Sequence, residues 1–302
     1  MGIEIRLIFK QYRFGILGFG LILSVLAASL WGLAIYFSGL GIAACHNVTT
    51  PDCMAVAAAI NAVGTLTVML RVSATPVAIF AGVFLGVPII ATEIERGTAV
   101  LPWTMSRSRV RWLLPRILAI GLLLAVLSAA IGLALDAIEQ ALFPWLAVTS
   151  NLRDYEMRGW LVPVRAIAGL SAGLLAGAVL GRALPGLLAG LAVAACVTGI
   201  AIVLGASWNE ATSAVVGQDE GAIVTRIVLF DSISGRYVDY AEAEATVPTT
   251  DPSFSERYTE VSLGVPGSDS PLVVSRESAL LGGVALFLTA GAVLVADRRK
   301  PY

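Results

Sequence analysis

Residues 112–135 read WLLPRILAIGLLLAVLSAAIGLAL, twenty-four positions with one charged side chain, Arg116. A helix of that length is about 36 Å long at 1.5 Å per residue, enough to cross the ~30 Å of hydrocarbon in a bilayer. Arg107, Arg109 and Arg111 precede it and Trp112 opens it, the side chains expected at headgroup level. Five more apolar runs of this kind obey the same logic, at about 14–38, 76–92, 164–181, 186–206 and 278–296. The stretch Met54–Leu70 is also apolar, but Asn61 and two threonines dilute it, and it reads as an interfacial or loop helix. The expectation is an all-α membrane protein of six transmembrane helices.

Composition agrees. The chain is 57% hydrophobic and 14% charged, with a mean hydropathy of +0.85. Soluble domains run about 45–50% apolar and about 25% charged, so a water-soluble enzyme is excluded. The net charge of −1 gives no overall basic character for nucleic acid. One histidine, His46, excludes zinc motifs built on several imidazoles, and no metal site or cofactor is expected in this chain. Only Lys10 and Lys300 are lysines, preceded by Phe9 and Arg299. The phosphate-cradling GxxxxGK[ST] loop needs Gly before Lys, so the chain holds no P-loop and is not expected to be an enzyme.

Six spans put both termini on one side. With those termini in the cytosol, twelve of the 20 basic residues and four of the 21 acids lie inside, a face of +8 against −9 outside. The Lys/Arg bias of short loops supports that orientation. The first apolar run exceeds twenty residues, too long for the core of a cleaved signal peptide, so it reads as an uncleaved helix. Before it, Ile3, Leu7 and Phe9 alternate with Glu4, Arg6, Lys10 and Arg13, which suits an amphipathic helix lying in the interface.

Outside, Cys45 and Cys53 are near enough in sequence to close a small loop in an oxidising compartment, the alternative being two unpaired thiols. Cys196, within the fifth span, reads as a packing residue. The segment 207–277 carries twelve acids and four arginines, with β-favouring runs at Ile223–Phe230, Arg236–Tyr240 and Tyr258–Val265. It reads as a small, partly β extracytoplasmic cap. Asp136 and Glu139 lie near the outer end of the third span, where snorkelling to water is expected.

Gly169, Gly173, Gly177 and Gly181 recur every fourth residue and form one stripe where helix backbones can approach. Gly82/Gly86 and Gly186/Gly190 repeat the spacing. The serine in Gly169-Leu-Ser171-Ala-Gly173 imitates a hydrolase nucleophile, but such a serine needs a strand–turn–helix setting and a base. Here it sits inside an apolar helix.

Between the second and third spans stand Thr92-Glu93-Ile-Glu95-Arg96-Gly97-Thr98, then Trp103-Thr-Met-Ser106-Arg107 and Arg111-Trp112. Two carboxylates end a helix, Gly97 permits a sharp turn and Thr98 can cap a second, short helix. This segment resembles the first cytosolic loop of type-2 ATP-binding-cassette (ABC) exporter permeases, especially the small six-span actinobacterial kind. Those carry Glu-x-Glu-x-Gly-Thr, a Trp-Thr-x-Ser run and an Arg-Trp opening the third span. The likeness covers Pro76 to Trp112; the amphipathic start, the Cys pair and the basic tail Asp297–Lys300 are similar too. The resemblance implies a plasma-membrane (inner-membrane) permease subunit that pairs with a second permease copy or a homologous permease. Two separate ATPase subunits, which would bind ATP and Mg, would drive outward transport by alternating access. Glu93, Glu95, Arg96, Gly97 and Thr98, within a coupling loop at 93–111, map onto the motif as the ATPase-coupling residues. The competing reading is a membrane scaffold or sensor that relays an outer signal to a cytosolic partner.

Overall fold

The structure, a computed structural model, describes residues 13–45, 50–95, 109–216 and 221–298. Its elements run α1 (Arg13–Gly39), α2 (Pro51–Glu95), α3 (Arg109–Leu142), α4 (Leu161–Leu180), α5 (Ala183–Ala211), β1 (Ala214–Val215), β2 (Ile223–Asp231), β3 (Arg236–Val238), α6 (Tyr240–Thr246), α7 (Ser253–Arg257), β4 (Tyr258–Val265) and α8 (Ser270–Arg298). Six helices, α1 to α5 and α8, are long and apolar enough to cross a membrane. The expected amphipathic start at 1–12 and the basic residues Arg299 and Lys300 lie outside the described residues.

The chain divides into two compact units. The helical unit holds the described residues up to Trp145, Asp154–Ala201, and those from Arg276 onward. Within it α4 is the most enclosed helix, with 78% of its most apolar window buried against 17% for α5. α4 spans twenty residues, about 30 Å, matching a bilayer's hydrocarbon thickness. The helices α1, α3, α5 and α8 each keep an exposed apolar face, such as Leu114, Leu118, Leu122 and Val126 on α3. Their four-residue spacing makes one stripe, which in a membrane protein faces lipid rather than water.

α2 departs from the sequence expectation. Met54–Leu70 is not a separate interfacial helix: it continues into the second span as one 45-residue helix with Pro76 and Pro88 inside it. Two features hid this. Proline usually marks a helix start, yet neighbouring helices in a membrane bundle can accommodate the hydrogen bond it removes. Arg71 also interrupts the apolar run, yet it is paired inside the bundle with Glu139 at 2.8 Å.

Close approach explains how α2 and α4 pack. A Cβ placed on Gly173 would lie 2.6 Å from the Val83 carbonyl oxygen, and one on Gly177 2.7 Å from that of Val87. Gly82 and Gly86 press in the same way on the Ala166 and Leu170 carbonyls. Gly186 and Gly190 bring α5 in beside this contact: a Cβ on Gly190 would lie 2.9 Å from Val83 Cγ1 and 3.2 Å from the Gly173 Cα, and one on Gly186 3.0 Å from Val87 Cγ1 and 3.5 Å from the Gly177 Cα. Gly181 is different. It caps α4 at φ +63°, its N–H donating to the Gly177 carbonyl at 2.9 Å, a left-handed position that glycine adopts without a Cβ clash. Its place in the four-residue series is where the helix ends.

The second unit comprises Leu146–Arg153 and Ile202–Ser275. Its antiparallel sheet has the order β1-β4-β2-β3, with Ile223 opposite Val265 and Asp231 opposite Tyr258. The three expected strand runs are there, but Tyr240 begins α6 instead of ending β3. Residues 146–153 belong to this unit although they fall between the third and fourth spans in sequence. Leu152 is buried and its N–H donates to the Gly221 carbonyl at 2.7 Å. Asp231 organises the β2–β3 turn: it receives Arg257 through Nε and Nη2 at 3.0 and 2.9 Å, Ser234 Oγ at 2.8 Å and the Ile233 N–H at 3.0 Å. The Arg257 guanidinium, before any other cause, holds the Asp231 carboxyl far below the usual carboxylate range. This clasp therefore contributes at neutral pH and is lost only as strong acid protonates the folded carboxylate.

Candidate functional site

The end of α2 that carries Glu93 and Glu95 is fastened at two points. Glu93 is buried, and its Oε1 stands 3.5 Å from Arg116 Nη1 on α3. The Arg116 guanidinium carbon lies 3.8 Å over the Trp112 ring, a stacked cation–π contact. Glu95 Oε2 accepts the Ala183 N–H at 3.0 Å, placing a carboxylate at the first turn of α5, where the helix dipole favours negative charge. Two acids two positions apart thus serve different helices, because they point about 200° from each other on α2. The sequence marked both acids but not their partners Arg116 and Ala183; Arg116 drew notice only as the lone charge of residues 112–135. Arg96, Gly97, Thr98 and the run from Trp103 to Arg107 lie outside the described residues. Arg109 and Arg111 form the first turn of α3.

At the other end of the helical unit is a set of ion pairs, most of them buried or half-buried, that sequence reasoning did not assemble. Arg71 on α2 reaches Glu139 on α3 at 2.8 Å and Asp154 at 2.9 Å. Arg158 reaches Asp136 at 2.8 Å. Arg165 on α4 pairs with Glu277 on α8 and also donates to the Glu156 carbonyl. Glu139 is 1% exposed, so the expectation that Asp136 and Glu139 snorkel to water is corrected: both are met by arginines within the protein. A buried charge is retained only with a partner. Gly159 shapes this cluster, at φ +62° with its N–H donating to the Gly132 carbonyl at 3.1 Å. Burial pushes the Glu156 carboxyl above its ordinary value, against the pull of Arg165. The signal that could have found the cluster was present. Arg165 is a lone charge in an apolar run, and ionisable groups within spans warrant a search for partners.

Cys45 and Cys53 form a disulfide, with Cα atoms 5.4 Å apart. Cys196 is exposed on α5, so among the described residues it does not serve the packing role expected of it. Ser171 Oγ donates to the Ile167 carbonyl at 2.9 Å and accepts from Thr289 Oγ1 at 2.9 Å, so the hydroxyl ties α4 to α8. Among the described residues no group of three or more His, Cys, Asp or Glu is placed to hold a metal ion.

A family model described as "ABC-2 membrane transporter related" matches residues 16–204. The chain belongs to this family. No curated protein and no solved structure matches it. Membership, with six membrane-length helices, makes the chain a multi-pass membrane component of an ABC-2 type transporter. The matched range takes in α2 to α4, with both the Glu93 fastening and the glycine contacts.

Proposed function

We propose that the chain is the permease subunit of an exporter, moving its substrate outward by alternating access under the drive of two separate ABC ATPase subunits. Family membership supports the permease role, and the two-point fastening of α2 supports the coupling role. A force applied near Glu93 and Glu95 reaches α3 through Arg116 and α5 through Ala183, so three spans respond to one push. Glu93, Glu95, Arg96, Gly97 and Thr98 form the coupling element in this reading, and ATP with Mg resides on the partner. A second permease copy or a homologous permease completes the assembly in the plasma membrane.

The experiment is pull-down of the tagged chain from its native membrane. An ABC ATPase is expected to co-purify, and Glu93→Ala or Glu95→Ala is expected to keep that partner while the ATPase rate no longer responds to the permease. Failure of any ATPase to co-purify with the unmodified chain would sink the proposal. Orientation has its own test. Reporters fused after Tyr302 are expected to signal cytosol and those within 220–260 the outside; a cytosolic signal from position 240 overturns the arrangement.

A further inference from the structure

Between α3, α4 and α8 lies an apolar groove of about 610 Å³, walled by α3 from Leu122 to Ala129 and by α8 from Ser278 to Thr289, with α4 as its floor. It belongs wholly to the helical unit. A separate space of only about 10 Å³ lies near Glu93, lined by Ile90 of α2, Leu113 of α3 and Val293 and Ala296 of α8.

Two observations go beyond its being apolar. Ser278 Oγ is buried in the groove wall and has no hydrogen-bond partner among the described residues. Serines elsewhere in the helices return their proton to a carbonyl three or four residues back, as Ser128, Ser171 and Ser275 do. A buried hydroxyl left unmatched costs free energy, so Ser278 awaits an acceptor. The second observation is length. Ser278 and Thr289 are eleven residues apart on α8, about 16 Å, half of a ~30 Å hydrocarbon core and so one leaflet. Trp160, which lines the groove and is 66% exposed, is the residue type that marks the interface just above the acyl region.

We propose that this groove seats one acyl chain of a glycerolipid from the adjoining leaflet, the Ser278 hydroxyl donating to the ester carbonyl at the head of that chain. An ester carbonyl is a neutral acceptor. It suits a wall whose nearest charges, Arg165 and Glu277, are already paired with each other. The inference does not depend on the direction of transport or on an ATPase partner.

The test uses the full chain in phosphatidylcholine nanodiscs doped with an ester-linked phosphatidylcholine that carries a mid-chain diazirine. After photolysis, label is expected to concentrate on α8 near Leu286 over the exposed Leu184–Leu188 face of α5. Gly282→Leu fills the groove, since a Cβ at Gly282 meets nothing within 4 Å, and is expected to abolish that excess. An ether-linked diazirine lipid is expected to label about fivefold less, the factor a single net hydrogen bond gives. Ser278→Ala should label equally with both lipids, a readout that stands even if Gly282→Leu folds poorly. Uniform labelling of both faces would overturn the proposal, as would equal ester and ether labelling of the unmodified chain. So would disulfide-linked dimers of Leu286→Cys, which would place a second copy of the chain in the groove.

Discussion

Glu277→Ala is expected to be among the most damaging single substitutions in the helical unit, lowering stability by about 3–5 kcal/mol, as breaking one side of a buried ion pair does. Arg165 and Glu277 are 4% and 5% exposed as side chains. The guanidinium donates to the Glu277 carboxylate and to the Glu156 carbonyl, and the substitution removes the charged one of these two acceptors. Folded proteins hold only about 5–15 kcal/mol in total, so a loss of this size should show as poor yield and early thermal unfolding in detergent. Glu277→Gln keeps a neutral acceptor and should fall between. The double variant Arg165→Met with Glu277→Leu should recover most of the loss, because apolar replacement of an entire buried pair is often neutral or better. Thermal midpoints of the four proteins decide the matter. A Glu277→Ala midpoint equal to that of the unmodified chain would mean the pair contributes nothing.

The same cluster shows where sequence reading stops. Periodicity and composition reveal the six spans because hydrocarbon thickness imposes a length on each of them. The strand runs of the second unit were legible for a similar reason: β-branched and aromatic residues between turn formers leave few alternatives. Pairings are another matter. Arg71 and Glu139 are 68 positions apart, and Arg165 and Glu277 are 112 apart. No local pattern ties such positions together, so Asp136 and Glu139 read as groups bound for water. The break read at Pro76 failed for a related reason. Whether an internal proline interrupts a helix depends on neighbours that accommodate the missing bond, and those neighbours lie on other segments. The candidate coupling site was half legible. Glu93 and Glu95 announced themselves through a motif, but their partners were visible only once α3 and α5 were in place.

Gly173→Leu is expected to be the other severe substitution, and its physics differs from that of the ion pair. Overpacking a close contact costs about 1–3 kcal/mol and at times more. The added atoms would meet the Val83 carbonyl oxygen at 2.6 Å and the Val83 Cα at 3.0 Å, and Gly190 of α5 packs close to the Gly173 Cα beside them. Backbone cannot be trimmed by mutation, so no side-chain change on α2 should rescue Gly173→Leu. Gly186→Ala is the informative contrast. Its nearest obstacle is the Val87 side chain, Cγ1 at 3.0 Å, with the Gly177 backbone at 3.5 Å and beyond. Gly186→Ala alone should be mildly destabilising, and Val87→Ala should relieve it even though it removes buried apolar surface. Gly199→Leu, placed in open space on α5, serves as the control and should behave like the unmodified chain. Folded yield and thermal midpoint measure the three single variants and the two valine-to-alanine rescues. If Gly173→Leu tracked Gly199→Leu, the α2–α4 approach would not be a tight backbone contact. If Val83→Ala rescued Gly173→Leu as Val87→Ala is expected to rescue Gly186→Ala, side chains rather than carbonyls would set the spacing of these helices.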